Sequence, residues 1–344
     1  MTTKTLRTGT GLSLRFEPRA ALCGLGLILL TLALGTVLVG TGDFPMTPGE
    51  VVDTLLGRGT AVQEFAVMEL RLPRVLVAIL VGGALALGGA VFQSVSRNPL
   101  GSPDVIGFGQ GATVGALVVI VLFQGSAVAT ALGAVAGGVV TGAAIYLLAW
   151  KRGVHGYRLV LVGIGAAAML TSVIHYLITK ANLVDATRAT VWMTGSLDGR
   201  DWTQFWPLLA VCCVLVPLVL GHGRALRMLE MGDDAAYALG VKVERTRIVL
   251  MASAVLLVAV ATSAAGPIVF VSLSAPQLAR RLTRAPGPNL AVSAVMGSAL
   301  LLGADWIAGN AFGDRHLPVG VITGILGGCY LLWLLVSERK AGRL

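Results

Sequence analysis

The sequence predicts an all-α, polytopic membrane protein of ten transmembrane helices, and three observations carry that prediction. Charged residues make up 12 % of the 344, against about a quarter in a soluble domain. Mean hydropathy is +0.83. Long apolar runs recur along the chain, continuous in composition, whereas β-barrel strands alternate apolar and polar residues. A spanning helix needs roughly 20 apolar residues to cross ~30 Å of hydrocarbon at 1.5 Å per residue. The runs at 20–39, 75–91, 107–123, 127–150, 159–178, 205–220, 248–265, 266–279, 290–312 and 317–336 are the candidates.

The first run follows a basic N-terminal stretch. It is too long for a signal peptide, and no clear Ala-x-Ala site follows it, so it reads as an uncleaved span. A long acidic outer loop (Asp43, Glu50, Asp53, Glu64, Glu69) leads to the second run. Between the second and third lies "SRNPLGSPDVIGFGQG", residues 96–111. Asn98-Pro99 ends the second span, because the residue before proline is pushed out of the helical region. Pro103 suits the first turn of a restarting helix with Ser102 as its N-cap, and Arg97 and Asp104 mark the cytoplasmic surface. Gly107, Gly111 and Gly115 in the third span, and Gly133, Gly137, Gly138 and Gly142 in the fourth, are spaced for close helix contact. The eighth run is short and broken by Pro267 and Pro276. A short echo links "RLPRVLVAILVGGA" (71–84) with "HLPVGVITGILGGC" (316–329), the kind of trace that internal repeats leave in transporters.

With both termini placed in the cytoplasm, nineteen of the 26 Lys and Arg residues fall inside and seven outside. That asymmetry is the positive-inside rule for an even number of spans. The net charge of +9 is thus a topology signal and implies no nucleic-acid partner. One membrane domain, 20–336, is expected between cytoplasmic tails at 1–19 and 337–344.

The chain carries no His-Glu-x-x-His, no Gly-x-Ser-x-Gly, no paired intramembrane aspartates and no phosphate-binding loop. "TGSLDG" (194–199) has the wrong spacing for a nucleophile elbow. No enzyme activity is expected, and no ATP hydrolysis by this chain. The four cysteines lie in apolar runs without metal-ligand spacing and read as small buried hydrophobes. Ion-coupled transporters bury several ionisable groups at mid-membrane, whereas these spans hold essentially Asp305 and His175. Asp305 fits a structural hydrogen bond or ion coupling; His175 fits a lumen-facing or hydrogen-bonded ring. An ion-coupled secondary transporter remains the alternative.

The cytoplasmic loop at 221–247 contains "RALRMLEMGDDAAYALGVKVERTR" (224–247). It reads as two short helices split at Gly232, with Asp233 or Asp234 as N-cap of the second and Gly240 as its stop. Met228, Leu229, Met231, Ala235, Ala236 and Leu239 are too few to form a core of their own. Such an element either docks into another protein's groove or lies on lipid headgroups.

Four stretches together resemble the permease family of iron-siderophore and vitamin B12 ABC importers. They are "RLPRVLVAILVGGALALGGAVFQSVSRNPLGSPDVIGFGQGA", "EMGDDAAYALGVKVERTR", "AGPIVFVSLSAPQLARRL" and "LPVGVITGILGG". The wording "RNPLGSPDV" and "RMLEMGDD" is similar to permeases for ferric enterobactin and related catecholate siderophores. The resemblance implies a type II ABC importer permease fold of ten helices, with two subunits forming the pathway. It also implies an ATPase dimer below, where ATP and magnesium act, and an external substrate-binding protein above; no cofactor is expected on this chain. The second permease is expected to be a paralogue, or else a second copy, in a bacterial inner membrane. By the same resemblance Glu230, Gly232, Asp233, Asp234, Leu239 and Gly240 belong to the ATPase-coupling helices, and Arg71 and Arg74 to the binding-protein dock. Gly156 and Tyr157 fall at the inner gate, and 266–281 is similar to the family's broken eighth helix. A further docking arginine near the ninth span is replaced here by Gly309, with Arg315 close by.

Overall fold

In lipid every backbone N–H and C=O needs an internal partner, so an apolar chain that crosses a bilayer without closing a barrel must be helical. The computed structural model describes residues 4–7, 13–42, 44–104, 106–150, 156–312 and 317–340. Strands β1 (Lys4–Arg7) and β2 (Ser13–Phe16) form a short antiparallel hairpin that the sequence does not announce. All the other described elements are helices: α1 (Pro18–Gly40), α2 (Pro48–Leu55), α3 (Ala61–Glu64), α4 (Leu72–Ser96), α5 (Phe108–Leu117), α6 (Ala127–Ala149) and α7 (Gly156–Lys180) in the first half. There follow α8 (Leu183–Met193), α9 (Trp202–Gly221), α10 (Gly223–Glu230), α11 (Asp233–Ala238), α12 (Val243–Ala265), α13 (Val271–Thr283), α14 (Leu290–Asn310) and α15 (Val319–Lys340). A wider π-helical stretch, Phe65–Arg71, joins α3 to α4, and another, Val118–Leu122, extends α5.

Among the described residues, seven helices are long and apolar enough to cross a membrane: α1, the continuous Ala61–Ser96, α6, α7, α9, α12 and α14. The expected third, eighth and tenth spans are helical too, but α5 with its extension and the apolar part of α15 are short. The chain stays in turns until Gly107, which shortens α5. Helix α13 has 13 residues and carries Gln277, Arg280 and Arg281. Helix α15 runs to Lys340, past the expected boundary at 336.

Helix α4 is the axis of the bundle, buried along most of its length. Its Gly82 meets Gly297 of α14 backbone to backbone, and a Cβ on either would overlap the other's carbonyl. Its Gly88 lies against Ala254 and Val258 of α12. The glycines of α5 and α6 interlock as expected, Gly111 and Gly115 against Gly133 and Gly137, while Gly138 and Gly142 face α12. Between helices in lipid, such backbone approach supplies the van der Waals contact that holds a bundle together.

Two local expectations fail. Ser102 does not cap a helix; its hydroxyl accepts from the Asp104 N–H at 3.2 Å and meets the Ser272 hydroxyl at 2.9 Å. Pro103 precedes the first turn of α5 by several residues, and Gly107, in the left-handed region at φ +96, stands at the N-cap. Asp104 is half-buried, and its carboxylate accepts from Ser272 Oγ in the first turn of α13. The stretch folds inward because three polar side chains satisfy one another there.

Candidate functional site

The loop at 221–247 folds as two short helices, α10 and α11, split at Gly232. Gly232 sits at φ +114 and Gly240 at φ +82, values that an L side chain rarely adopts, so both turns need glycine. Leu226 and Leu229 of α10 and Ala236 of α11 are buried and fix the element to the bundle. Met231, Tyr237 and Leu239 are 61 %, 61 % and 57 % exposed, an apolar row facing away from the fold. Glu230 closes α10 within reach of the Arg280 charge.

Asp233 does not cap α11; the N-cap is Gly232, with no side-chain bond. The Asp233 carboxylate instead accepts two hydrogen bonds from Arg247 Nη2 at 2.8 and 2.9 Å. Arg247, in the first turns of α12, has a side chain only 5 % exposed and also reaches Glu244 at 3.4 Å. Glu244 accepts from the Tyr146 hydroxyl of α6 at 2.7 Å. Arg97 approaches Asp233 from the other side at 3.7 Å. Arg97 caps the C-terminus of α4 at φ +52, where glycine or asparagine is the usual choice. Asp234 adds a second acid to the first turn of α11, favourable to the helix dipole.

At the start of α7, a Cβ on Gly156 would sit 2.6 Å from the Ser96 carbonyl oxygen, so α7 begins hard against the inner end of α4. Tyr157 beside it is 79 % exposed.

The N-terminal end of α4 and the C-terminal end of α14 border a cavity of about 560 Å³ lined by Arg71, Arg74, Arg200, Asp305, Gly309 and Asn310, among others. Arg74 grips Asp305 with two bonds, Nη2 to Oδ1 at 2.8 Å and Nε to Oδ2 at 3.2 Å. Its remaining guanidinium nitrogen, Nη1, meets Asp198 Oδ1 at 2.5 Å. Asp305 is thus buried in a bidentate pair with Arg74. Arg71 donates to the carbonyls of Val39 and Phe44, both at 2.9 Å, and ties the α1–α2 connection to α4. Both guanidiniums expected at a docking surface thus hold partners within the chain. Arg200, absent from the expected set, lines the same cavity. It donates from Nε to Ser196 O at 3.2 Å, and burial pulls its guanidinium below the ordinary value while Asp198 and Asp201 oppose the shift. Arg315 lies outside the described residues.

His175 is exposed on α7, in a stripe with Gly165, Ala168, Ser172 and Thr179. The exposed face of α1 is leucine-rich by contrast. Cys212 is buried, but Cys213 and Cys329 are exposed on their helices, against expectation. Among the described residues no three His, Cys, Asp or Glu side chains gather into a metal site.

Residues 27–337 match the profile of the FecCD transport family. The chain belongs to the FecCD transport family. It is 45 % identical over 300 residues to the ferric enterobactin transport system permease protein FepG of Escherichia coli (strain K12), covering 87 % of this chain and 91 % of that one. It is 36 % identical over 323 residues to the iron(3+)-hydroxamate import system permease protein FhuG of Bacillus subtilis (strain 168), covering 90 % and 95 %. A solved structure, described as an inward-facing conformation of a metal-chelate type ABC transporter, superposes with a TM-score of 0.80 at 25 % identity, over 93 % of this chain and 99 % of that one. The chain thus has the type II ABC permease architecture of the transport permeases it resembles. In this FecCD chain the sequence reading missed Asp198, Arg97 and Arg247 as members of ion-paired sites. Each had been read only as a loop residue or a topology charge, and their partners lie 14 to 136 residues away. Only the placement of an arginine directly before Asn-Pro, at a helix end, hinted at a special role.

Proposed function

We propose that this chain is the membrane permease of an ATP-driven importer of ferric siderophores of the catecholate class, in a bacterial inner membrane. The observation that carries the reading is the 45 % identity to an enterobactin permease along nearly its whole length, within a family match over 27–337. Relatives named for hydroxamate and citrate complexes are less similar, at 36 % for the hydroxamate permease and at 34 % and 37 % for two citrate permeases. In this reading the chain crosses the membrane ten times, counting α5, α13 and α15, with both termini in the cytoplasm. A second permease, a paralogue, completes the pathway between the two subunits. ATP and magnesium act in a separate ATPase dimer, and this chain carries out no chemistry.

The apolar row Met231, Tyr237 and Leu239 is the docking surface for that ATPase, and Gly232 and Gly240 hold it in position. Closure of the ATPase dimer on ATP would push α10 and α11 and rock the bundle. Gly156 and Tyr157, against the inner end of α4, stand at the inner gate. The cavity at the outer ends of α4 and α14 would receive acidic side chains of a substrate-binding protein, through Arg71 and Arg74. Ion-coupled transport is the weaker reading, because Asp305 is held by two bonds from Arg74.

Copurification tests the reading. The chain, expressed with its partner permease and a cognate ATPase, should carry that ATPase through purification, and the complex should take up ferric enterobactin in proteoliposomes only with ATP and binding protein present. Uptake by the chain alone under a proton or sodium gradient would overturn it.

A further inference from the structure

We infer that Asp233 is the positioning residue through which movement of the cytoplasmic element reaches the membrane core, with Arg247 and Arg97 as its two receivers. This rests on the reading of the chain as an ATPase-coupled permease, and it names the connection which that reading leaves open.

A short helix docked on a moving partner transmits motion only if it is tied to what must move. Helix α11 has six residues and buries little besides Ala236, so packing alone grips it weakly. Its first residue, Asp233, instead accepts two hydrogen bonds from a single nitrogen of Arg247. Charge-assisted bonds of this kind are short and about twice as strong as neutral ones. Arg247 is nearly enclosed at the base of α12, so the pair is rooted inside the bundle. A displacement of α11 is therefore passed to α12 or opposed by loss of the pair.

The second arm runs to α4. Arg97 occupies a left-handed position, φ +52, that an arginine side chain adopts only at some cost. Its guanidinium lies along Gly232, 3.6 Å from where a Cβ would stand, and reaches Asp233 at 3.7 Å. The strain is explained if the side chain is needed there. Asp233 thus touches the bases of α4 and α12, the two long helices most enclosed by their neighbours. Both α5, through Phe108, and α7, through Gly156, pack on the lower part of α4, so a shift at its base reaches the inner gate. The charges facing Asp233 are Arg247 from α12 and Arg97 from α4, with Glu244 on the far side of Arg247.

The test uses the whole complex of permeases, ATPase and binding protein in proteoliposomes, with siderophore uptake counted per ATP hydrolysed. Asp233→Asn keeps the shape and removes the charge. It should lower uptake per ATP by at least about tenfold while the ATPase still copurifies, the size expected when a buried pair loses one charge. Asp233→Glu should restore uptake per ATP to within about threefold of wild type, since it returns the charge. Unchanged uptake per ATP in Asp233→Asn, or equal loss in Asp233→Glu, would overturn the inference. Loss of the ATPase from the Asp233→Asn complex would also overturn it, because Asp233 would then belong to the docking surface. If Asp233→Asn does not insert, the half-exposed Arg97→Gln becomes the measure, with an expected fall of about threefold; wild-type coupling there would overturn the inference as stated, because α4 would then not receive the movement. A wild-type complex that fails to retain the ATPase overturns the permease reading itself, and this inference with it.

Discussion

Helix α4 carries an arginine near each end, and each arginine meets acids from other parts of the chain, but burial is inverted between the two clusters. At the outer end the buried partner is the acid: Asp305 is 2 % exposed while Arg74 is 31 % exposed to the cavity. At the inner end the buried member is an arginine, Arg247, and its acids Asp233 and Glu244 are about a third exposed. The outer cluster ties one core span to another and so fixes their relative position. The inner cluster ties core spans to a projecting two-helix element. The same ion-pair chemistry therefore serves as a lock at one end of α4 and as a linkage at the other.

The largest effect is expected at the outer lock, and it should be asymmetric. Arg74→Ala leaves Asp305 buried without a cation, which costs about 3–5 kcal/mol by analogy with other broken buried pairs. Asp305→Ala leaves Arg74 with Asp198 and an open cavity, and should cost about half of that or less. Thermal unfolding of the detergent-solubilised protein measures both. Equal losses would mean that the burial inversion carries no energetic weight. Asp305→Ala assembled with its partners should also still transport with ATP, because the carboxylate holds a helix and not an ion.

An intermediate effect is expected at the inner side from Gly240. At φ +82 proline, held near −65°, cannot be accommodated, so Gly240→Pro should abolish coupled uptake while leaving the subunit inserted. Gly240→Ala meets no atom within 4 Å, so it feels only the left-handed backbone, about 1–2 kcal/mol. Uptake per ATP should rank glycine above alanine above proline. Wild-type uptake in Gly240→Pro would remove α11 from the coupling path, and with it half of the comparison.

How much of this the residues disclose differs between the two ends. The bipartite cytoplasmic element was legible, because Gly232 and Gly240 are punctuation that only positive φ explains. The helix end at Asn98-Pro99 was legible for a related reason, proline's effect on its neighbour. The glycine spacing in α5 and α6 was legible because close backbone approach admits little else. What escaped are pairings set by tertiary packing. Arg74 and Asp305 lie 231 residues apart, and nothing local marks them as partners. Asp104 reads as a surface charge since it sits in a polar turn, yet the partner that turns it inward, Ser272, lies 168 residues on. The short third, eighth and tenth helices show a different limit. Apolar composition delimits what lipid tolerates, but turn geometry at Gly107 and the break after Gly266 decide where the third and eighth helices begin.

The smallest effect separates energy from transmission. Arg97 and Asp233 are a half-exposed pair at 3.7 Å, and such pairs contribute about 0.2–1 kcal/mol. Arg97→Gln retains the left-handed backbone cost, so its stability should fall by no more than that. Exposed pairs are screened when the Debye length drops from about 8 Å at physiological salt to about 3 Å at 1 M. The difference in melting between Arg97→Gln and wild type should therefore shrink as salt is raised, whereas the deficit of Arg74→Ala, whose uncompensated charge is buried, should persist. A salt-insensitive deficit in Arg97→Gln would place the inner pair in the same class as the outer lock. A salt-sensitive one, together with its several-fold loss of uptake per ATP, would mean that the inner cluster's contribution to transport exceeds its contribution to stability. That excess is what distinguishes a linkage from a lock.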